Sequence, residues 1–315
     1  MKIFLSSAES TQNLYKVINE VQKDMNLLVS FFYLRKKGSA QVKKVLDLVL
    51  KKSGGSKIML DSGAFTFLNE YKTARGLGGS WFQNKKLHKI DCTPQEYFED
   101  YLRFLKKYAH YFDYIVELDV DFITGYRWVK ERRKELIDLV GVEKVVPVFH
   151  PTIPNCYEEW ELWCKKYSSS VLGIGGIAEG GINVDKLFLI ALKNNVKVHG
   201  FAMTKQAFMF KYPWFSVDSS SWNTGQRFGQ LFYFDVRNSK LSICRTSQLK
   251  ENLEAFNYFS KTIFSKIVQY FKFSFREILS HNTYSYCFDI CNIYAFLQYE
   301  KHITSLWEAK GIKYD

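Results

Sequence analysis

Tyr114-Ile-Val-Glu-Leu-Asp119 reads as a short buried strand closed by a carboxylate, and the chain repeats this figure twice more. Lys57-Ile-Met-Leu-Asp61 and Trp214-Phe-Ser-Val-Asp218 have the same form. Continuous apolar runs, unlike alternating ones, mark strands covered on both faces, as in parallel sheets. The carboxyl ends of such strands carry the ligand crevice in α/β folds. One aspartate there could simply cap the next helix. Three in series point to an active site.

Similar apolar runs cover residues 2–6, 26–33, 56–60, 114–118, 144–149, 171–174, 197–201 and 214–217. Amphipathic segments at 9–25, 41–52, 93–110, 124–140, 157–167 and 184–194 separate them, and Thr93 with Glu96 has the spacing of a capping box. Alternating βα units with right-handed crossovers give a parallel sheet, and about eight of them close into a (β/α)8 TIM-type barrel of the α/β class. The barrel is expected over residues 1–228, with a basic, aromatic insertion at about 71–92. Beyond Gly229 the pattern changes. Residues 231–235 and 241–245 read as a hairpin turning at Asn238-Ser239, and the Phe-, Tyr- and Lys-rich remainder of 229–315 reads as a C-terminal helical region.

The 315 residues are 47% hydrophobic and 17% aromatic, which excludes a disordered chain. No stretch approaches the roughly 20 apolar residues that span a membrane. The apolar part of Met1-Lys-Ile-Phe-Leu is too short for a signal peptide, so a cytoplasmic protein is expected. Six scattered cysteines read as free thiols. A formal charge of +12 points to a polyanionic partner, nucleic acid first, against the plainer reading of a Lys-rich surface.

The strand ends carry Asp61-Ser-Gly-Ala-Phe65, Asp119-Val-Asp121, His150-Pro151, Gly173-Ile-Gly-Gly-Ile177, His199-Gly-Phe-Ala-Met203 and Asp218-Ser-Ser-Ser-Trp222. In a barrel these converge on one mouth, with Asp61 and Asp218 expected to face each other. Paired carboxylates flanking a sugar carbon suit glycosidic-bond chemistry, one attacking C1′ and the other handling protons. Gly173–Ile177 fits either a phosphate cradle or close approach of bare backbone to a flat base. His150 and His199 are as readily structural as catalytic. Phe65 and Met203 could sandwich a planar ligand or pack in the core.

The order of these motifs resembles the tRNA-guanine transglycosylase superfamily. Leu60-Asp-Ser-Gly-Ala-Phe65, Val146-Pro-Val-Phe-His150, His199-Gly-Phe-Ala-Met203 and Phe215-Ser-Val-Asp-Ser219 look closer to the branch that places 7-deazaguanine in DNA, found in phages and bacterial modification clusters. The resemblance covers residues 56–225. It implies Asp218 as nucleophile and Asp61 as acid/base. It implies that Asp119 accepts from guanine N1–H and the exocyclic amine, with Ser62 also at the substrate. Gly175 and Gly176 would then give N–H groups to the base carbonyl, while Phe65 and Met203 close on the ring. His150 stands where the tRNA enzymes are expected to carry a glutamine against the base.

The resemblance further implies no cofactor, and as partners DNA (or tRNA), a 7-deazaguanine base such as preQ0 or a derivative, and possibly other proteins of a DNA-modification system. The setting would be a bacterial cell or phage-infected host. The tRNA enzymes hold zinc through Cys-x-Cys-x-x-Cys plus His, and this chain has no such run; Cys244, Cys287, Cys291 and His302 are the nearest possible set, and no metal is expected. Extracting guanine requires a flipped or unpaired nucleotide. Arg75, Lys85 and Lys86, with Trp81 and His88 in the insertion, are candidate contacts for phosphates and unpaired bases. Two other classes remain open: a barrel glycosidase or phosphosugar enzyme using Asp61 and Asp218, and a non-catalytic nucleic-acid-binding protein.

Overall fold

The computed structural model describes residues 1–10, 24–74, 92–151, 155–176, 182–248, 251, 252, 257, 269 and 286–313. Nine strands form one sheet: β1 (Lys2–Leu5), β2 (Leu27–Ser30), β3 (Ile58–Asp61), β4 (Tyr114–Val116), β5 (Val145–Val146), β6 (Val148–Phe149), β7 (Val171–Ile174), β8 (Lys197–Gly200) and β9 (Ser216–Ser219). Their order is β5-β4-β3-β2-β1-β9-β8-β7-β6. The pairings β1·β2, β1·β9, β3·β4, β4·β5, β6·β7 and β8·β9 are all parallel.

The order starts on β5 and ends on β6, which are two halves of one segment parted by Pro147. Proline has no N–H for a ladder, so the strand breaks there and each half keeps one neighbour. Counted as one strand, β5/β6 makes eight in cyclic order. The fold is the expected α/β (β/α)8 barrel, with an additional C-terminal helix.

Helices follow the strands: α1 (Ser39–Ser53), α2 (Ala64–Ala74), α3 (Pro94–Tyr108), α4 (Tyr126–Val140), α5 (Cys156–Lys166), α6 (Val184–Lys193), α7 (Gln206–Lys211) and α8 (Thr224–Phe228). The capping box forms as its spacing predicts. Thr93 Oγ1 accepts from the Glu96 N–H at 3.2 Å, and Glu96 Oε2 accepts from the Thr93 N–H at 2.7 Å, with Pro94 opening the helix. The ends of β3 and β9 differ from expectation. Each aspartate lies within its strand, because β3 extends through Asp61 and β9 begins at Ser216. Trp214 is instead held in a turn, its N–H donating to the Tyr212 carbonyl.

The chain divides into two compact units. The first comprises Met1–Leu27, Leu48–Ser56 and His199–Asp315. It holds β1 and β9 in register, Phe4 opposite Asp218, together with the hairpin β10 (Gln230–Asp235) and β11 (Lys240–Arg245), which turns at left-handed Ser239. Helix α9 (Tyr286–Ala309) is sewn to the hairpin by fully buried Asn292. Its Oδ1 accepts the Phe232 N–H at 2.7 Å, and its Nδ2 donates to the Trp222 and Gln230 carbonyls, each at 3.0 Å.

The second unit comprises Leu28–Asp47 and Lys57–Val198. Its core is aromatic: Phe31 meets Tyr97, Tyr101 and Phe104 of α3 at 4.9–5.3 Å between ring centres. The predicted helix at 9–25 lies largely outside the described residues, as do the insertion beyond Ala74 and most of 249–285. Among the described residues, no helix is long and apolar enough to cross a membrane.

Candidate active site

In the first unit, Asp218 stands on the face of β9 that also bears Ser216, two residues earlier. Its Oδ2 accepts from the Ser6 hydroxyl at 2.8 Å, and its Oδ1 accepts from the Ala202 N–H at 2.7 Å. Ser6 follows β1 and Ala202 follows β8, so one strand neighbour on each side grips the carboxylate. A capping aspartate would instead accept from the amides of the next helix. Ala202 has φ +49, a left-handed conformation uncommon for a residue with a Cβ, and it is this turn that aims the N–H at Oδ1. His199 lies opposite Ser216 in the β8·β9 ladder, fully buried, with Nδ1 2.8 Å from Ser216 Oγ and Nε2 3.6 Å from Asp218 Oδ1.

In the second unit, Asp61 ends β3 and its Oδ2 accepts from the Gly63 N–H at 3.0 Å. The turn into α2 occupies only Ser62 and Gly63, and Gly63 has φ +77. A Cβ there would lie 2.5 Å from Phe32 Cβ, so this position requires glycine on both counts. Tyr97 and Tyr101 of α3 tie down the backbone at the ends of β3 and β4. Their hydroxyls donate to the carbonyls of Ser62 and Val116, each at 2.8 Å. Burial holds both phenols well above their ordinary range, which keeps them as donors.

Asp119 follows β4 and pairs with His150 after β6, Oδ2 to Nε2 at 3.2 Å. Burial raises the Asp119 carboxyl above its ordinary value, against the pull of His150. Burial lowers the His150 imidazole, but the hydrogen bond and charge of Asp119 outweigh it, and the net shift is upward. Each partner therefore influences the other's proton affinity.

Gly175 corrects an expectation. Its N–H already donates to the Phe149 carbonyl at 3.1 Å, so it is not open to a base. Glycine is needed because His150 lies against it: a Cβ would fall 2.9 Å from the ring's Cε1. Gly176 is exposed and has φ +72, and a Cβ added there would meet nothing within 4 Å. Ser62 is also corrected. It is fully buried, and its Oγ accepts from the Ala64 N–H at 3.4 Å, making it part of the turn rather than a ligand contact. Phe65 is 70% exposed at the start of α2, available to a planar ligand, whereas Met203 is buried and packs beside Gly200. Arg75, Lys85 and Lys86 lie outside the described residues.

Cys244, Cys287 and Cys291 are buried, and burial holds the Cys291 thiol well above its ordinary range. Among the described residues, no three His, Cys, Asp or Glu side chains are grouped to hold a metal ion. No family model matches the chain, and no curated protein matches its sequence.

Sequence reading missed Ser6, Ser216, Tyr97, Tyr101 and Ala202. Ser216 did carry a signal: it is a polar residue in a buried run, spaced by two from Asp218 and so on its face. Ser6 carried none, since a serine after a strand is commonplace. Ala202 could not be read from sequence, because a left-handed alanine has no local signature.

Proposed function

We propose that this chain exchanges guanine in DNA for a 7-deazaguanine base through a covalent Asp218–nucleic acid ester. The reading is supported most by the Asp218 carboxylate. It lies near the carboxyl end of a parallel barrel strand, only 15% of its side chain is exposed, and each oxygen is held by a donor from a neighbouring segment instead of by its own helix. An oriented carboxylate is what attack at an anomeric carbon requires.

In the first step an Asp218 oxygen bonds to C1′ as the C1′–N9 bond breaks. The electron pair leaves with guanine, and Asp61 supplies the proton. In the second step N9 of the incoming base bonds to C1′, the ester bond breaks back to carboxylate, and the N9 proton passes to Asp61. Configuration is retained and the kinetics are ping-pong. The Asp119–His150 pair, with one Asp119 oxygen turned to His150, would read the guanine edge, and exposed Phe65 would stack on the ring. The net charge of +12 favours a nucleic-acid substrate in general, and the missing Cys-x-Cys-x-x-Cys run favours DNA over tRNA. A small-sugar glycosidase is the second reading, since it would use the same two carboxylates.

The test is incubation of the protein with labelled guanine and, separately, double-stranded DNA, single-stranded DNA and bulk tRNA. Label in DNA supports the proposal. Label only in tRNA keeps the chemistry and changes the polymer. If Asp218→Ala still incorporates label, Asp218 is not the nucleophile.

A further inference from the structure

We infer that His199 is a positioning residue that holds Asp218 Oδ1, leaving Oδ2 as the oxygen that bonds to C1′. This rests on Asp218 acting as the nucleophile.

The imidazole is fully buried between β8 and β9, edge-on to Phe4 and Phe201 at 6.1 and 4.5 Å between ring centres. Nδ1 is committed to Ser216 Oγ at 2.8 Å. Nε2 has no hydrogen-bond partner among the described residues, and it stands 3.6 Å from Asp218 Oδ1. A buried polar atom left unsatisfied is expensive, so one aimed at a functional carboxylate requires a reason. The tautomer follows from the neighbours. A lone pair on Nε2 would face carboxylate lone pairs and be repelled, whereas an Nε2–H is attracted. The ring therefore carries its proton on Nε2, and the Ser216 hydroxyl donates to Nδ1.

The two carboxylate oxygens are then unequal. Oδ1 faces two donors that cannot turn away: the Ala202 amide, fixed in backbone, and the His199 ring, locked in the core. Oδ2 has only the Ser6 hydroxyl, which rotates about one bond. Oδ2 is the oxygen that can expose a lone pair at little cost. When it bonds to C1′ and guanine departs with the C1′–N9 pair, Oδ1 becomes the ester carbonyl and keeps its donors. When the incoming N9 displaces the ester, the bond pair returns to Oδ2, and the restored charge is already met by Ala202 and His199. Donors placed where charge reappears accelerate the step that restores it.

Nitrogen NMR of the imidazole rings tests the contact without any substrate, with His199→Gln assigning the His199 signals among the six histidines. The expected result is a proton on Nε2 whose resonance moves in Asp218→Asn. A proton on Nδ1 alone, or an Nε2 resonance indifferent to Asp218→Asn, overturns the inference. Guanine exchange into DNA then tests the role. His199→Phe should lower kcat on the order of 100-fold with the KM for guanine unchanged, and His199→Gln, which keeps a donor, should recover part of it. An active wild type whose His199→Phe variant keeps its kcat overturns this inference alone. A wild type that exchanges no guanine into DNA or tRNA overturns the reading beneath it, whatever tautomer the ring shows.

Discussion

Glu117 and Arg133 meet as an ion pair with each side chain 2% exposed, Nε to Oε2 at 2.5 Å and Nη2 to Oε1 at 2.9 Å. Glu117 Oε1 also accepts the Val148 N–H at 2.6 Å, the first amide after the break at Pro147. The guanidinium lies 4.1 Å over the Trp163 ring and reaches the Tyr167 hydroxyl at 3.3 Å. The pair thus staples the end of β4 to the start of β6, and Asp119 and His150 stand two residues beyond Glu117 and Val148.

Removing one partner should be costly. Arg133→Met leaves the Glu117 carboxylate buried and uncompensated, and the expected loss is about 3–5 kcal/mol in denaturant unfolding. The double variant Glu117→Gln/Arg133→Met keeps an acceptor for Val148 and should recover most of it. A double variant as unstable as the single would show that packing on Trp163, not charge, is the main contribution.

Ala202 offers Asp218 only its backbone N–H, so the side chain is dispensable and the backbone is not. Ala202→Gly should keep exchange activity and lie within about 1 kcal/mol of the wild type, since glycine adopts positive φ without strain. Ala202→Pro removes the donor and forbids the conformation, and should abolish exchange. Equal activity in the two would remove the amide from the site.

The Asp119–His150 pair gives a pH signature. His150 is raised above the ordinary 6.5, so its contribution is complete below that value and is lost as pH rises through the higher folded value. In Asp119→Asn the hydrogen bond loses its charge, and the His150 midpoint, followed by proton NMR, should fall. A midpoint unchanged by Asp119→Asn would mean that other acidic neighbours such as Asp121 set it.

Gly63→Ala places a methyl into Phe32 at a positive φ. The expected cost is about 1–3 kcal/mol in thermal or denaturant unfolding, with Asp61 displaced and exchange impaired. A variant of wild-type stability would mean that the turn can adopt another conformation.

Glu300 on α9 accepts from the Ile3 N–H at 2.7 Å and the Asn26 side chain at 3.0 Å, and burial pushes its carboxyl up to about 7. The folded state therefore retains a proton that the unfolded chain releases near 4.5, and stability falls as pH rises between those values. Glu300→Gln should flatten that slope, which amounts to about 3 kcal/mol at most. Parallel slopes for the two proteins would show that Glu300 is not the titrating group.

The sequence by itself determined the alternation of buried strands and helices and where three carboxylates fall along it. Val171–Ile174, entirely apolar apart from its glycine, forms the buried β7 it predicts, and Thr93 with Glu96 closes the capping box. These features depend on residues a few positions apart, where period and propensity act directly. The three aspartates were legible for the same reason, each closing a local run. Only the tertiary structure decided what holds them. Ser6 and Asp218 are 212 positions apart, Asp119 and His150 are 31 apart, and the sheet closes across a proline break whose following amide is taken up by Glu117. Such contacts come from strand order and register, and no local pattern encodes which hydroxyl, amide or ring will face a given carboxylate.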